Sequence, residues 1–133
     1  QARQISEIRI LLETGVAPKI VENADAVSIG DLKSLADQFD AVSLNGTVIE
    51  LYEANLAFHR ALLSLCGNDE LVNLVTDIRQ RTSSAPVSQW ITRARIQQSS
   101  QEHYKMIDAI AAGNTEKLKA IIVQHIRQPS GRT

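Results

Sequence analysis

The chain of 133 residues has one cysteine, Cys66. No internal disulfide can form, and a reducing, cytoplasmic setting is the expectation. An excess of charge of either sign is also missing. Fourteen Lys and Arg stand against fifteen Asp and Glu, a formal net charge of −1 at pH 7. Phosphate recognition needs a clustered positive field, so this chain is not expected to bind nucleic acid by itself. No apolar run approaches the roughly 18 residues of a membrane span. The opening "QARQISEIR" holds no hydrophobic signal segment, and no membrane partner is expected. There is no strand-like alternation, no internal repeat and no low-complexity stretch. The sequence also lacks an initiating Met and opens inside a polar helical pattern, which suggests a piece of something longer.

What is present is helical. Apolar residues make up 44% of the chain, ordinary for a folded domain, and the length suits one compact unit with a real core. Ile5, Ile8, Leu11 and Leu12 in "ISEIRILLE" recur at the helical period. Gly15 and Pro18 then predict a break before a second segment ending near Asn23. Ser28 with Asp31 reads as a helix start, with Leu32, Leu35, Ala36 and Phe39 as its stripe. After the turn "SLNGT", a helix runs from about Val48 to Leu65, and "CGN" ends it. Another, from residue 69 to about 82, should turn Leu71, Leu74, Val75 and Ile78 inward. "TSSAP" breaks the chain. A helix is expected from about Val87 toward Gln98, with Trp90, Ile91 and Ile96 as its apolar positions, and "SSQEH" is read as the start of the next. Thr115 is the expected N-cap of a last helix reaching about Arg127. The reading is all-α, an antiparallel bundle of six or seven helices.

The polar residues on the apolar faces carry the chemistry. Asn55 and His59 are one helical turn apart and point the same way, beside Leu51, Leu62 and Leu63. His103 shares a face with Met106, Ile107 and Ile110. His125 stands one turn from Ile121 and Ile122. A single inward histidine is usually a core residue with its ring nitrogens hydrogen-bonded. Three inward histidines cost free energy unless they satisfy one another, and a shared metal would satisfy all of them. Imidazole suits zinc, nickel, copper or iron. Periodicity alone leaves a shared ion and three separate core histidines both open.

The segments "NLAFHRALLSLCGNDEL" and "SQEHYKMIDAIAAGNTEKLKAIIVQHI", with the opening "EIRILLE", resemble the C-terminal ligand-binding domain of FadR-type regulators in the GntR superfamily, over roughly residues 3 to 127. The shared marks are an Asp or Asn four residues before the His of an "FH" pair, a "GN" turn, an "EH" helix and a final His one helix later. In the metal-binding subgroup an acid or amide and three histidines hold a divalent ion, and those positions fall here on Asn55, His59, His103 and His125. The resemblance implies zinc first, with nickel, manganese or iron as alternatives. It also implies a small organic acid as effector, a homodimer, and a winged helix-turn-helix domain before Gln1 through which DNA is bound; residues 1–133 would be the effector-binding and dimerisation domain. Two departures stand out. Asn55 is neutral where many relatives have Asp, and Pro18 lies where relatives run helical.

Arg9 admits two roles: an exposed ion pair with Glu13, four residues on, or an arginine turned toward the effector carboxylate, which guanidinium matches with two parallel hydrogen bonds. Trp90 is either a core anchor or a wall of the effector pocket. One of Arg79, Arg81, Arg93 and Arg95 could reach an acidic ligand. Cys66 reads as a small buried hydrophobe. Three histidines with a weak fourth ligand would leave open coordination positions, as a hydrolytic site does. But H-E-x-x-H and Glu-x-x-His are both absent, and Glu102, next to His103, is expected to point elsewhere. A sensor is therefore expected rather than an enzyme; a metal-dependent hydrolase-like bundle and a purely structural dimerisation bundle are the alternatives.

Overall fold

The computed structural model describes residues 2–83 and 92–127. Those residues form seven helices and no strand: α1 (Ala2–Gly15), α2 (Ala17–Asn23), α3 (Ala26–Asn45), α4 (Val48–Ser64), α5 (Asp69–Ser83), α6 (Arg93–Ala111) and α7 (Thr115–Arg127). The all-helical expectation holds. Val87, Trp90 and Ile91 lie outside the described residues.

Local chemistry sets most boundaries. Val16 separates α1 from α2, and the proline sits in the first turn of α2, where its missing N–H leaves no bond unmade. Asp25, not Ser28, caps α3: its carboxylate accepts from the Ser28 N–H at 2.8 Å, and Ser28 Oγ accepts from the Asp25 N–H at 2.8 Å. Ser28 is thus the third residue of the capping box rather than the cap. Thr47 and Glu50 form the same reciprocal pair at the head of α4. Gly67 follows α4 with φ +78°. Between α6 and α7, Gly113 adopts φ +68°, and the Asn114 N–H donates back to the Ala109 carbonyl at 2.9 Å, closing the helix as a left-handed C-terminal turn does. Asn114, not Thr115, caps α7, accepting the Lys117 N–H at 3.0 Å.

The expected break before "SSQEH" does not occur; α6 runs unbroken through Ser99 and Ser100. Both serines are buried, and Ser100 Oγ donates to Asp40 Oδ1 of α3 at 2.8 Å. A hydroxyl engaged across helices no longer competes for its own backbone, which is what makes serine a helix starter elsewhere.

Two inward faces differ from their apolar stripes. On α1, Arg9 and Glu13 are largely buried while Ile8 and Leu11 stand exposed, Leu11 by 73%. On α5, Val72, Val75, Thr76 and Ile78 are buried and Leu74 is 50% exposed. In each case polar residues belong to the buried arc and rotate it away from the hydrophobic ones. The core is built from Ile20, Leu32, Ala36, Phe58, Leu62, Leu63, Val75, Met106, Ile107, Leu118 and their neighbours. α1 packs against α5 and α7, α3 against α4 and α6, and α6 against α7. That arrangement surrounds the polar residues of α4, α6 and α7.

Candidate metal centre

Three helices deliver the histidines to one place. α4 carries Asn55 and His59, both buried, on the face of Phe58 and Leu62. α6 carries His103, fully buried among Met106, Ile107 and Ile110. α7 brings His125 beside Ile121, Ile122 and Ile126. One ligand nitrogen from each of His59, His103 and His125 lies within 4.8 Å of the others. His59 Nε2 and His125 Nε2 are 3.2 Å apart, close to the about 3.3 Å between two nitrogens that share a tetrahedral ion at zinc–nitrogen bond lengths.

The partners of these groups distinguish a ligand set from core histidines. Both ring nitrogens of His103, and Oδ1 of Asn55, are buried with no hydrogen-bond partner among the described residues. Such orphaned atoms each cost about 1–3 kcal/mol and are rare in a native fold unless something binds them. The His103 ring is clamped instead by aromatic faces, stacked on Phe58 at 4.2 Å between centroids and edge-on to Phe39 at 4.7 Å. Its orientation is therefore fixed by packing, with its nitrogens left over. Three imidazoles within reach of one another could hold a divalent metal, and the Asn55 amide oxygen, one turn before His59 on α4, is a further spare lone pair.

Burial pushes the pKa values of His59 and His103 well below the ordinary histidine value, and the Arg79 charge lowers both further. His125 is also lowered by burial, partly opposed by its hydrogen bond to Glu102. Each shift favours the neutral imidazole, the form a ligand needs.

Sequence reasoning missed Glu102. It is 1% exposed; its Oε1 lies 2.6 Å from His125 Nδ1, and its Oε2 accepts from Gln98 Nε2 at 3.2 Å. Glu102 and His103 diverge by about 100° around α6, so His103 meets α3 and α4 while Glu102 meets α7. The expectation that Glu102 points elsewhere is corrected: it reaches the site through His125. The available signal was its place on the buried stripe of Ser99, Met106 and Ala109. The site therefore has a buried protein carboxyl group at one remove, although Asn55 carries only an amide.

Arg9 Nε donates to Glu13 Oε2 at 2.9 Å. The pair is formed, but with side chains only 12% and 6% exposed it is no surface pair. The Arg9 charge is near enough to depress His59 and His125. Arg79 belongs to the same region: burial pulls its pKa down to about 9, helped by the Arg9 charge and opposed by Glu13. Two guanidinium groups therefore act on the histidine cluster. A polar cleft of about 360 Å³ opens beside it, bordered by Gln98, Gln101, Glu102, Lys105 and Gln124.

Comparison with known proteins gives three findings. The family model described as the FCD domain matches residues 4–128. The chain is 26% identical over 129 residues to the HTH-type transcriptional regulator LutR of Bacillus subtilis (strain 168), covering 93% of this chain and 58% of that protein. It superposes on the solved structure of E. coli McbR/YncC with a TM-score of 0.85 at 18% identity, covering 96% of this chain and 65% of that one. The chain thus spans less than two thirds of the length of either relative.

Proposed function

Since this chain belongs to the FCD domain family, the C-terminal effector domains of FadR-type GntR regulators, we propose that it senses a small organic acid at a divalent metal ion and controls DNA binding by an attached domain. The observation that carries this reading is the convergence of His59, His103 and His125; Asn55, one turn before His59 on α4, supports it with a buried Oδ1 that has no hydrogen-bond partner among the described residues. Those four residues would hold the ion, zinc first by coordination chemistry. When bound, it would supply a buried positive charge to which a carboxylate is drawn.

The chain's own residues do the rest. Phe39 and Phe58 hold the His103 ring in place. Apolar packing around the cluster excludes water, which strengthens any charge interaction inside. Arg9 and Arg79 add positive potential on the α1 and α5 side, and Arg9 is proposed to share its guanidinium between Glu13 and the effector carboxylate. The acid would favour one arrangement of the domain over another, and so bias a DNA-binding domain joined before residue 1. Regulation by sensing fits the family better than catalysis. A homodimer is part of the proposal, and the exposed Ile8 and Leu11 of α1 offer apolar surface for it.

Calorimetry of carboxylic acids into metal-free and metal-loaded protein tests the reading. The effective acid should bind at least about tenfold more tightly to the loaded form, within the usual range of coupling between sites. Equal affinity in both forms would remove the ion from the sensing mechanism. The double variant Arg9→Ala/Glu13→Gln removes the pair without stranding a buried carboxylate. It should weaken acid binding by about 1.5–3 kcal/mol with metal content unchanged.

A further inference from the structure

We propose that Glu102 is a positioning residue of the metal centre, fixing His125 with its Nε2 lone pair toward the site and supplying the negative charge that Asn55 does not. The inference rests on the metal reading above and extends it to a residue that is not itself a ligand.

Three observations lead to it. First, the carboxylate is buried to 1% exposure, where an ionised group is costly unless its charge is balanced. Its hydrogen-bond partners among the described residues are His125 Nδ1 and Gln98 Nε2. These two contacts occupy both carboxylate oxygens and hold the group in one orientation between α6 and α7. Second, the 2.6 Å contact is to Nδ1, the nitrogen that faces away from the cluster, while Nε2 lies 3.2 Å from His59 Nε2. A carboxylate accepting from Nδ1–H leaves a lone pair on Nε2, which is the tautomer a metal ligand requires. Third, the four candidate ligands are all neutral, so a divalent ion there would keep its whole charge. Glu102 places one negative charge a single imidazole away, with Gln98 holding its other oxygen.

The test uses Zn²⁺ itself. The purified chain is stripped with chelator and titrated against a chromophoric competitor, and Co²⁺ gives a visible spectrum of the ligand field. The wild type should bind one Zn²⁺. Glu102→Gln keeps an acceptor for the His125 Nδ1–H and removes the charge; it should bind Zn²⁺ about 10- to 100-fold more weakly, the usual effect of losing such a partner. Adding Asn55→Asp to that variant returns a negative charge to the same site and should recover at least tenfold. A merely structural role for Glu102 would lower the stability of the metal-free protein and would not be rescued at Asn55. Wild-type affinity in Glu102→Gln, or no recovery in the double variant, overturns the proposal. One measurement needs no variant: the ¹⁵N spectrum of the metal-free wild type at neutral pH should show the His125 proton on Nδ1, and a proton on Nε2 overturns the proposal too. A wild type that binds no Zn²⁺ sinks the metal reading and this inference with it. Zn²⁺ binding that ignores Glu102 sinks this inference alone.

Discussion

His103 concentrates the cost of the site in one residue. Its ring is wholly buried, stacked against Phe58, and both nitrogens lack hydrogen-bond partners among the described residues. In the metal-free protein this is a desolvation penalty with no return. Replacing it with a nearly isosteric apolar residue should therefore stabilise that form: His103→Leu is expected to gain on the order of 1 kcal/mol while losing metal binding. The same burial sets a pH dependence. His59 and His103 have folded-state pKa values well below the unfolded value of 6.5. Below pH 6.5 the unfolded chain takes up protons that the folded chain refuses, so stability is full above that pH and falls as pH drops through it. The slope approaches about 1.4 kcal/mol per pH unit for each such histidine. Urea midpoints of chelator-treated protein between pH 7.5 and 5 should fall for the wild type and fall less for His103→Leu. A flat profile would mean that these histidines are not buried neutral.

The element that sets the site's geometry is the turn between α6 and α7. It fixes how His103 and Glu102 on one helix meet His125 on the other, and it depends on Gly113 at φ +68°. A Cβ there would touch nothing within 4 Å, so the cost of Gly113→Ala is that of the left-handed backbone alone, about 1–2 kcal/mol. Denaturant unfolding should show that loss, and zinc affinity should fall with it if the turn holds the two helices in register. A variant as stable as wild type would show that the turn relaxes to another conformation without penalty. At this scale the sequence was partly legible. The glycine–asparagine turn, the breaks near Gly15 and Gly67, and the span of α4 follow from local propensity. The continuity of α6 does not, because the Ser100 hydroxyl that would otherwise start a helix is engaged by Asp40, 60 residues away in sequence.

For the whole molecule, three helices meeting at one cluster mean that a bound ion would tie α4, α6 and α7 together in a way the unfolded chain cannot reproduce. Free Zn²⁺ at 100 times its dissociation constant should add about 2.7 kcal/mol, a rise of roughly 10 °C in the unfolding midpoint for a domain of this size. Thermal scans with and without chelator measure it, and coincident curves would contradict a native metal site. Helical class, the position of most helices and the inward direction of Asn55, His59, His103 and His125 were legible in the sequence itself, because the 3.6-residue period and the turn residues are local properties; that the four would share one site came only from the resemblance to a family. Tertiary packing alone decided the rest. Leu11 and Leu74 face solvent because Arg9, Glu13 and Thr76 take the inward positions on their helices, a choice that an apolar stripe cannot reveal. Glu102 meets His125 across 23 residues, and His59 meets it across 66. Those meetings exist only once α6 and α7 have packed, since periodicity gives the direction of a side chain around its own helix but not which neighbour stands opposite.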